Sequence, residues 1–126
     1  MVRGLPAAGH TVPFIREGIK IFNHLPAAEL NGLLNESEFI VARSGYSTIM
    51  DLLKLKKNAI LVPTPGQPEQ EYLGVYMNEK KWMFCVPQKN FSLEASLNIF
   101  QKREMILPEL MENRLKNVIE EFLKQF

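Results

Sequence analysis

The stretch Phe39-Ile-Val-Ala-Arg-Ser-Gly-Tyr-Ser-Thr-Ile-Met-Asp-Leu-Leu53 decides the fold of this chain. Its first four residues form a short, continuous apolar run, which is typical of a strand buried on both faces of a parallel sheet. Ser44 and Gly45 supply a turn, and helical periodicity begins at Tyr46. The stretch therefore predicts a β-strand that leads directly into the N-terminus of a helix.

The predicted helix has one apolar and one polar face at about 100° per residue. The apolar arc comprises Tyr46, Ile49, Met50, Leu52 and Leu53, and the polar arc comprises Ser47, Thr48, Asp51 and Lys54. The first backbone N–H groups of a helix lack intrahelical partners, so together with nearby hydroxyls they can hold an anion such as phosphate. A simpler interpretation, in which Ser44 is an N-cap and Gly45 only a tight turn, stays open at this point.

Composition restricts the class of protein. The chain has 126 residues, 46% of them hydrophobic and 23% charged, which is typical of one soluble globular domain. A net charge of +1 argues against broad electrostatic binding to nucleic acid. The single Cys85 excludes an internal disulfide, and no run approaches the ~20 apolar residues of a membrane span. Without a visible signal peptide, we expect a cytoplasmic location.

Strand and helix patterns alternate along the chain. Met1 to Pro6 has room only for a very short strand, and Pro6 to Pro13 reads as a loop. Four strands are predicted at Ile19–His24, Phe39–Ala42, Asn58–Pro63 and Trp82–Val86. Helices are predicted from Pro26 to about Asn35, from Tyr46 onward, at Glu69–Lys80, at Ser92–Arg103, and over 109–126 after Pro108. The first of these helices is expected to bury a stripe of Leu30, Leu33 and Leu34. This alternation predicts an α/β fold, a parallel sheet with helices on both faces and a ligand site at the carboxyl ends of the strands.

That topology would gather three groups of polar residues on one rim of the sheet. They are Phe22, Asn23 and His24; Arg43 to Thr48; and Pro63 to Glu71. Asp51, one turn beyond Ser47, could accept hydrogen bonds from the two hydroxyls of a ribose, or it could simply pair with Lys54. Gln70 and Glu71 carry polar atoms suited to sugar hydroxyls, although many helices begin with such residues for dipole reasons alone.

Other reactive side chains show no catalytic pattern. His10 and His24 have no partners at the spacing of a triad or a metal site, so loop histidines are the preferred interpretation and no metal ligand or catalytic residue is assigned. Cys85 lies within an apolar strand, where thiols are usually inert, and Trp82 is expected at a strand edge. No Walker loop and no Gly-x-Gly-x-x-Gly motif occurs.

The segment from Ala42 to Leu53, followed by Pro63 and by Gln70-Glu-Tyr72, resembles the C-terminal domain of family 28 glycosyltransferases, and is similar in kind to the peptidoglycan N-acetylglucosaminyltransferases. The resemblance is strongest over residues 19–87. It implies a Rossmann-like domain, the C-terminal half of a two-domain B-type fold. It also implies the donor-binding half of an inverting glycosyltransferase that uses a nucleotide-diphosphate sugar, with a UDP-sugar expected and no metal or other cofactor.

The resemblance also implies roles for individual residues. Ser44, Gly45, Tyr46, Ser47 and Thr48 would lie at the donor's diphosphate and ribose, with Asp51 on the ribose hydroxyls. The donor sugar would be faced by Gln70 and Glu71, and the nucleobase would lie near Phe22 and Asn23, with a backbone group pairing to it.

Three positions depart from the family pattern. Asp51 replaces a longer Glu, which implies a longer or water-mediated ribose contact. Glu71 replaces a second Gln and adds negative charge near a diphosphate, which leaves the identity of the sugar open. Tyr46 replaces a small residue, which implies a narrower pocket.

The family's Gly-rich phosphate loop and its acceptor-binding N-terminal domain have no counterpart here, so we expect a single domain that is a fragment, inactive alone. Its expected partners are a nucleotide-sugar donor and an acceptor-binding domain in cis or in trans, and the chain could also self-associate. The full-length protein could lie peripherally at the inner membrane face. The alternatives are a non-catalytic donor subunit of a split transferase, a nucleotide-sugar hydrolase and a scaffold with a vestigial site.

Overall fold

A computed structural model of the chain describes residues 1–3, 13–109 and 114–125. The predictions of a loop before Pro13, of a loop position for His10 and of a helical position for Leu110 lie outside those residues. The chain forms two compact units, Met1–Glu36 and Ser37–Phe126.

The first unit is built on a β-hairpin. Strands β1 (Phe14–Arg16) and β2 (Ile19–Ile21) pair antiparallel through a turn at Glu17 and Gly18, whose φ angles are 51° and 77°. Two positive φ angles match the right-handed twist of a two-residue hairpin. The prediction that the strand after Ile19 belongs to the parallel sheet is therefore wrong, because Phe14–Arg16, which we did not predict as a strand, is its partner.

Among its described residues, the rest of the first unit adds a bridge and a helix. Val2 forms an isolated parallel bridge to Phe22. Helix α1 (Ala27–Glu36) follows Pro26 as predicted. Its leucines, however, do not form a buried stripe: no residue of α1 is buried, and Leu33 is 37% exposed.

The second unit contains the predicted parallel sheet. Strands β3 (Val41–Ala42), β4 (Ile60–Leu61) and β5 (Phe84–Cys85) pair in the order β3-β4-β5. The helices are α2 (Tyr46–Lys54), α3 (Pro68–Glu79), α4 (Leu93–Lys102) and α5 (Arg114–Leu123), and a short 3-10 turn spans Gln88–Asn90. The predicted order of elements from Phe39 onward is confirmed, and the mixed α/β class with it.

Helices cover both faces of this sheet. Side chains alternate along a strand, so Ile60 and Phe84 share one face while Leu61 and Cys85 share the other. On the first face, α4 and the segments flanking it pack against the strands through Phe91, Leu97, Phe100 and Met105. On the second face Cys85 meets α3, where its sulfur would lie 2.7 Å from a Cβ placed on Gly74. Strand β4 is central and its residues are fully buried, as its apolar sequence predicts.

Strand β3 differs from its prediction. It lies at an edge of the sheet, and Val41 is 42% exposed rather than buried on both faces. The cluster on that face is centred on β4 and β5, so the edge strand is only partly covered. Backbone pairing nevertheless extends beyond the two residues of the strand, since the amide of Ile60 donates to the carbonyl of Ile40 at 2.9 Å.

Helix α2 has the amphipathic arrangement that its sequence predicts. Ile49, Leu52 and Leu53 are buried, whereas Ser47 and Asp51 are exposed. Burial of each large aliphatic side chain contributes about 1.5–3 kcal/mol, which holds the helix against the sheet. Among the described residues, no helix combines the length and the apolar character needed to cross a lipid bilayer.

Candidate functional site

The turn between β3 and α2 leaves the N-terminus of the helix without a side-chain cap. Gly45 is the N-cap residue and makes no side-chain hydrogen bond, and the first helical bond runs from the amide of Ile49 to the carbonyl of Gly45 at 3.0 Å. The N–H groups of Tyr46, Ser47 and Thr48 precede that bond and lack intrahelical partners. The arrangement concentrates partial positive charge at the carboxyl end of β3.

Ser44 is not the N-cap of α2. The residue is 0% exposed, and its hydroxyl donates a 2.6 Å hydrogen bond to the backbone carbonyl of Gln70. The simpler interpretation of Ser44 as an N-cap is therefore wrong, because the cap is Gly45. The bond joins two of the predicted groups, the 44–48 turn and the start of α3.

Arg43 ties the ends of the strands together. Its Nη1 donates to the carbonyls of Val62 and Pro63 at 3.1 and 3.3 Å, and to Oε1 of Gln88 at 2.8 Å. These acceptors lie just after β4 and just after β5. Sequence reasoning placed Arg43 on the rim but did not identify this bridging role, because its acceptors are 19 to 45 residues away.

The start of α3 folds back on the Pro-rich loop that precedes it. Oε1 of Gln70 accepts from the amide of Thr64 at 2.9 Å, and Nε2 of Gln70 donates to Oε1 of Gln67 at 2.8 Å. Oε1 of Glu71 accepts from the amide of Gly66 at 3.2 Å. Both residues proposed to face a sugar thus shape the 64–67 loop, although an amide or a carboxylate retains further bonding capacity.

Asp51 is exposed on the second turn of α2. None of the described residues forms a hydrogen bond or an ion pair with its carboxylate, so the expected alternative of a pair with Lys54 does not occur.

Gly74 is a close-packing position beside the candidate site that sequence reasoning missed. A Cβ at this position would lie 2.7 Å from Sγ of Cys85, 2.9 Å from Cγ of Pro63 and 3.5 Å from Oγ of Ser44. Only glycine lets α3 approach the strand ends so closely. A glycine within a predicted helix, where it costs about 1 kcal/mol relative to alanine, was the available signal.

A cavity of about 430 Å³ lies beside α3 at the carboxyl ends of β4 and β5. Its apolar lining is Pro63, Pro65, Val75, Cys85 and Pro87, and its polar lining is Glu71, Gln88 and Lys89. A mostly apolar wall with a few polar groups is the usual composition of a small-molecule pocket. Burial raises the pKa of the Cys85 thiol, which keeps it protonated and agrees with the inert role expected for it.

The third predicted group lies in the first unit. Our topological argument for its place on the rim fails, because β2 belongs to the hairpin and not to the parallel sheet. Both backbone groups of Phe22 are engaged, the amide with the carbonyl of Met1 and the carbonyl with the amide of Arg3. Asn23 accepts a 3.4 Å hydrogen bond from Arg3, and His24 is exposed. The nucleobase role of Phe22 and Asn23 stays a prediction.

Comparison with known proteins gives one result. No curated protein and no solved structure gives a significant match to the chain. The sequence model of the glycosyltransferase family 28 C-terminal domain, in contrast, matches residues 17–125 and so covers most of the chain. The parallel sheet, the uncapped helix and the loop before α3 lie within that match, and the chain belongs to the family of glycosyltransferase family 28 C-terminal domains.

Proposed function

We propose that this chain binds the nucleotide-diphosphate sugar donor of an inverting glycosyltransferase, with UDP as the nucleotide. The observation that carries the proposal is the uncapped N-terminus of α2 at the end of a parallel strand, joined by Ser44 to the start of α3. Family membership supports the general activity of a glycosyltransferase donor domain.

In this proposal the diphosphate lies on the backbone N–H groups of residues 46–48. A helix N-terminus favours an anion by its dipole and by its unpaired donors. As the sugar is transferred, negative charge grows on the leaving diphosphate, and fixed N–H groups stabilise that charge without a metal ion. The hydroxyls of Ser47 and Thr48 add donors beside the turn. An acceptor-binding domain, in cis or in trans, would supply the base, so this chain alone is proposed to be inactive.

The ribose and the sugar take the neighbouring positions. The carboxylate of Asp51 has no partner among the described residues and lies one turn further along α2, where it would accept hydrogen bonds from the ribose hydroxyls. The cavity lined by Glu71 would receive the sugar, next to the loop that Gln70 and Glu71 hold in place.

A titration of the isotopically labelled chain with UDP, followed by amide chemical shifts, tests the proposal. We expect the largest changes at residues 44–48. The start of α4 is an internal control, because the side chain of Ser92 already accepts from the amide of Ala95 there. A folded sample whose 44–48 amides do not move at millimolar UDP would contradict the proposal.

The ribose contact has its own test. Asp51→Ala should weaken UDP binding by roughly tenfold to a hundredfold, the value of a hydrogen bond to a charged group. Glu94→Ala, which removes an exposed carboxylate from α4, is the matched control and should leave the affinity unchanged. The loss caused by Asp51→Ala should shrink when 2′-deoxy-UDP replaces UDP. An equal loss with both nucleotides would mean that Asp51 does not contact the 2′-hydroxyl.

A further inference from the structure

The hydroxyl of Ser44 connects two parts of the proposed site that are distant in sequence. Ser44 is fully buried and directly precedes the N-cap of α2, and its hydrogen bond ends on Gln70, 26 residues away. A fully buried hydroxyl whose proton is committed to a carbonyl inside the protein does not serve as a donor to a phosphate.

From Gln70 the hydrogen bonds continue into the Pro-rich loop. The side chain of Gln70 holds the amide of Thr64 and the amide oxygen of Gln67, and the next residue, Glu71, holds the amide of Gly66. A continuous path therefore runs from the turn before α2, through the first turn of α3, to residues 64–67.

Packing leaves little freedom along this path. Gly74, one helical turn beyond Gln70, is so close to Cys85 and Pro63 that even a methyl group would clash. This packing prevents α3 from moving closer to the strand ends, and a shift of α3 away from them lengthens the Ser44 bond. The bond thus sets the register between the N-termini of α2 and α3.

We propose that Ser44 is a positioning residue, which couples the phosphate-binding turn to the 64–67 loop through Gln70 and does not itself contact the donor. The consequence of this inference rests on the proposed function. The diphosphate and the sugar are two parts of one ligand, so the turn that binds the diphosphate and the loop beside the sugar must stay at a constant distance from each other. The hydroxyl of Ser44 maintains that distance.

The first test needs no ligand. Ser44→Ala should increase the hydrogen-exchange rate of the Thr64 amide between about twofold and tenfold, the value of one intramolecular hydrogen bond transmitted through Gln70. The matched control is Ser96→Ala, which removes the other buried serine hydroxyl, 3% exposed and located in α4. Ser96→Ala should leave the exchange of the Thr64 amide unchanged. Equal exchange of that amide in the wild type and in Ser44→Ala would overturn the inference.

The second test uses UDP. In the wild type, UDP binding at residues 45–48 should also shift the amides of Thr64 and Gly66, whereas in Ser44→Ala the direct shifts should remain and the transmitted ones should fall. A variant that only lost stability would reduce the direct shifts at residues 45–48 and the transmitted shifts at Thr64 and Gly66 alike. Transmitted shifts of wild-type size in Ser44→Ala would overturn the coupling.

The two proposals fail in different ways. If wild-type protein binds no UDP but Ser44→Ala still releases the Thr64 amide, the donor-binding proposal fails and the coupling stands. If UDP binds but Ser44→Ala changes neither exchange nor transmitted shifts, the coupling alone fails. Should Ser44→Ala not fold, Ser44→Cys, kept reduced because Cys85 lies nearby, replaces the hydroxyl by a much weaker donor and should give the same changes in reduced size.

Discussion

Two serines at the beginnings of helices show how one residue type takes two roles in this chain. Ser92 is the N-cap of α4, is exposed, and accepts a 3.4 Å hydrogen bond from the amide of Ala95 in its own helix. Ser44 lies one residue before the N-cap of α2, is buried, and donates to a carbonyl of another helix. Ser92 satisfies an amide at the N-terminus of its own helix, α4. Ser44 leaves the N-terminus of α2 open, without a side-chain cap. An open terminus is what an anion-binding helix needs.

The largest expected effect comes from placing a carboxylate at each serine. Ser44→Asp would bury a charge against the carbonyl of Gln70, at a cost on the order of 3–5 kcal/mol for an uncompensated buried charge. Ser92→Asp keeps a good N-cap acceptor near a positive helix end and should be neutral or slightly stabilising. Denaturant unfolding of both variants measures the difference. Equal stability of the two variants would show that the two serines do not differ in environment.

An effect of intermediate size concerns the space beside Ser44. Gly74→Ala gains helix propensity but forces a methyl group against Cys85 and Pro63, and such overpacking costs about 1–3 kcal/mol. Gly32→Ala in α1 is the matched control, because no atom lies within 4 Å of its added Cβ and it gains up to about 1 kcal/mol from propensity alone. We expect the free energy of unfolding to fall for Gly74→Ala and to rise for Gly32→Ala. A rise in both would contradict the close approach of α3 to the strand ends.

The smallest expected effect is on the reactivity of Cys85, which lies against the same glycine. Burial raises the pKa of its thiol, so at a given pH near 8 the folded chain should contain less of the reactive thiolate than the unfolded chain. Labelling with a thiol reagent should therefore be slower in the folded chain and should keep rising to higher pH. Since Cys85 is the only cysteine, no other thiol contributes to the labelling rate. If the labelling rate of Cys85 followed the same pH profile in water and in denaturant, the burial of its thiol would be contradicted.

The prediction from sequence was most successful where side-chain periodicity alone decides the structure. The buried face of α2 and the burial of β4 follow from patterns that are local in sequence. It failed for the strand after Ile19, because a Glu-Gly turn is a weaker hairpin signal than Asn-Gly and its partner strand was not recognised. It also failed for Val41, since burial at a sheet edge depends on which helix covers it.

The candidate site shows the same division. The sequence by itself determined the strand, turn and helix of residues 39–53, the polar residues at the start of α3, and the family to which they belong, because each is a local pattern of residue types. Only the tertiary structure decided that the hydroxyl of Ser44 turns inward to Gln70, that Arg43 bridges the ends of two strands, and that Gly74 lets α3 approach the strand ends. The physical reason is distance along the chain: a hydrogen-bond partner 26 residues away leaves no periodic signal, and packing alone selects it.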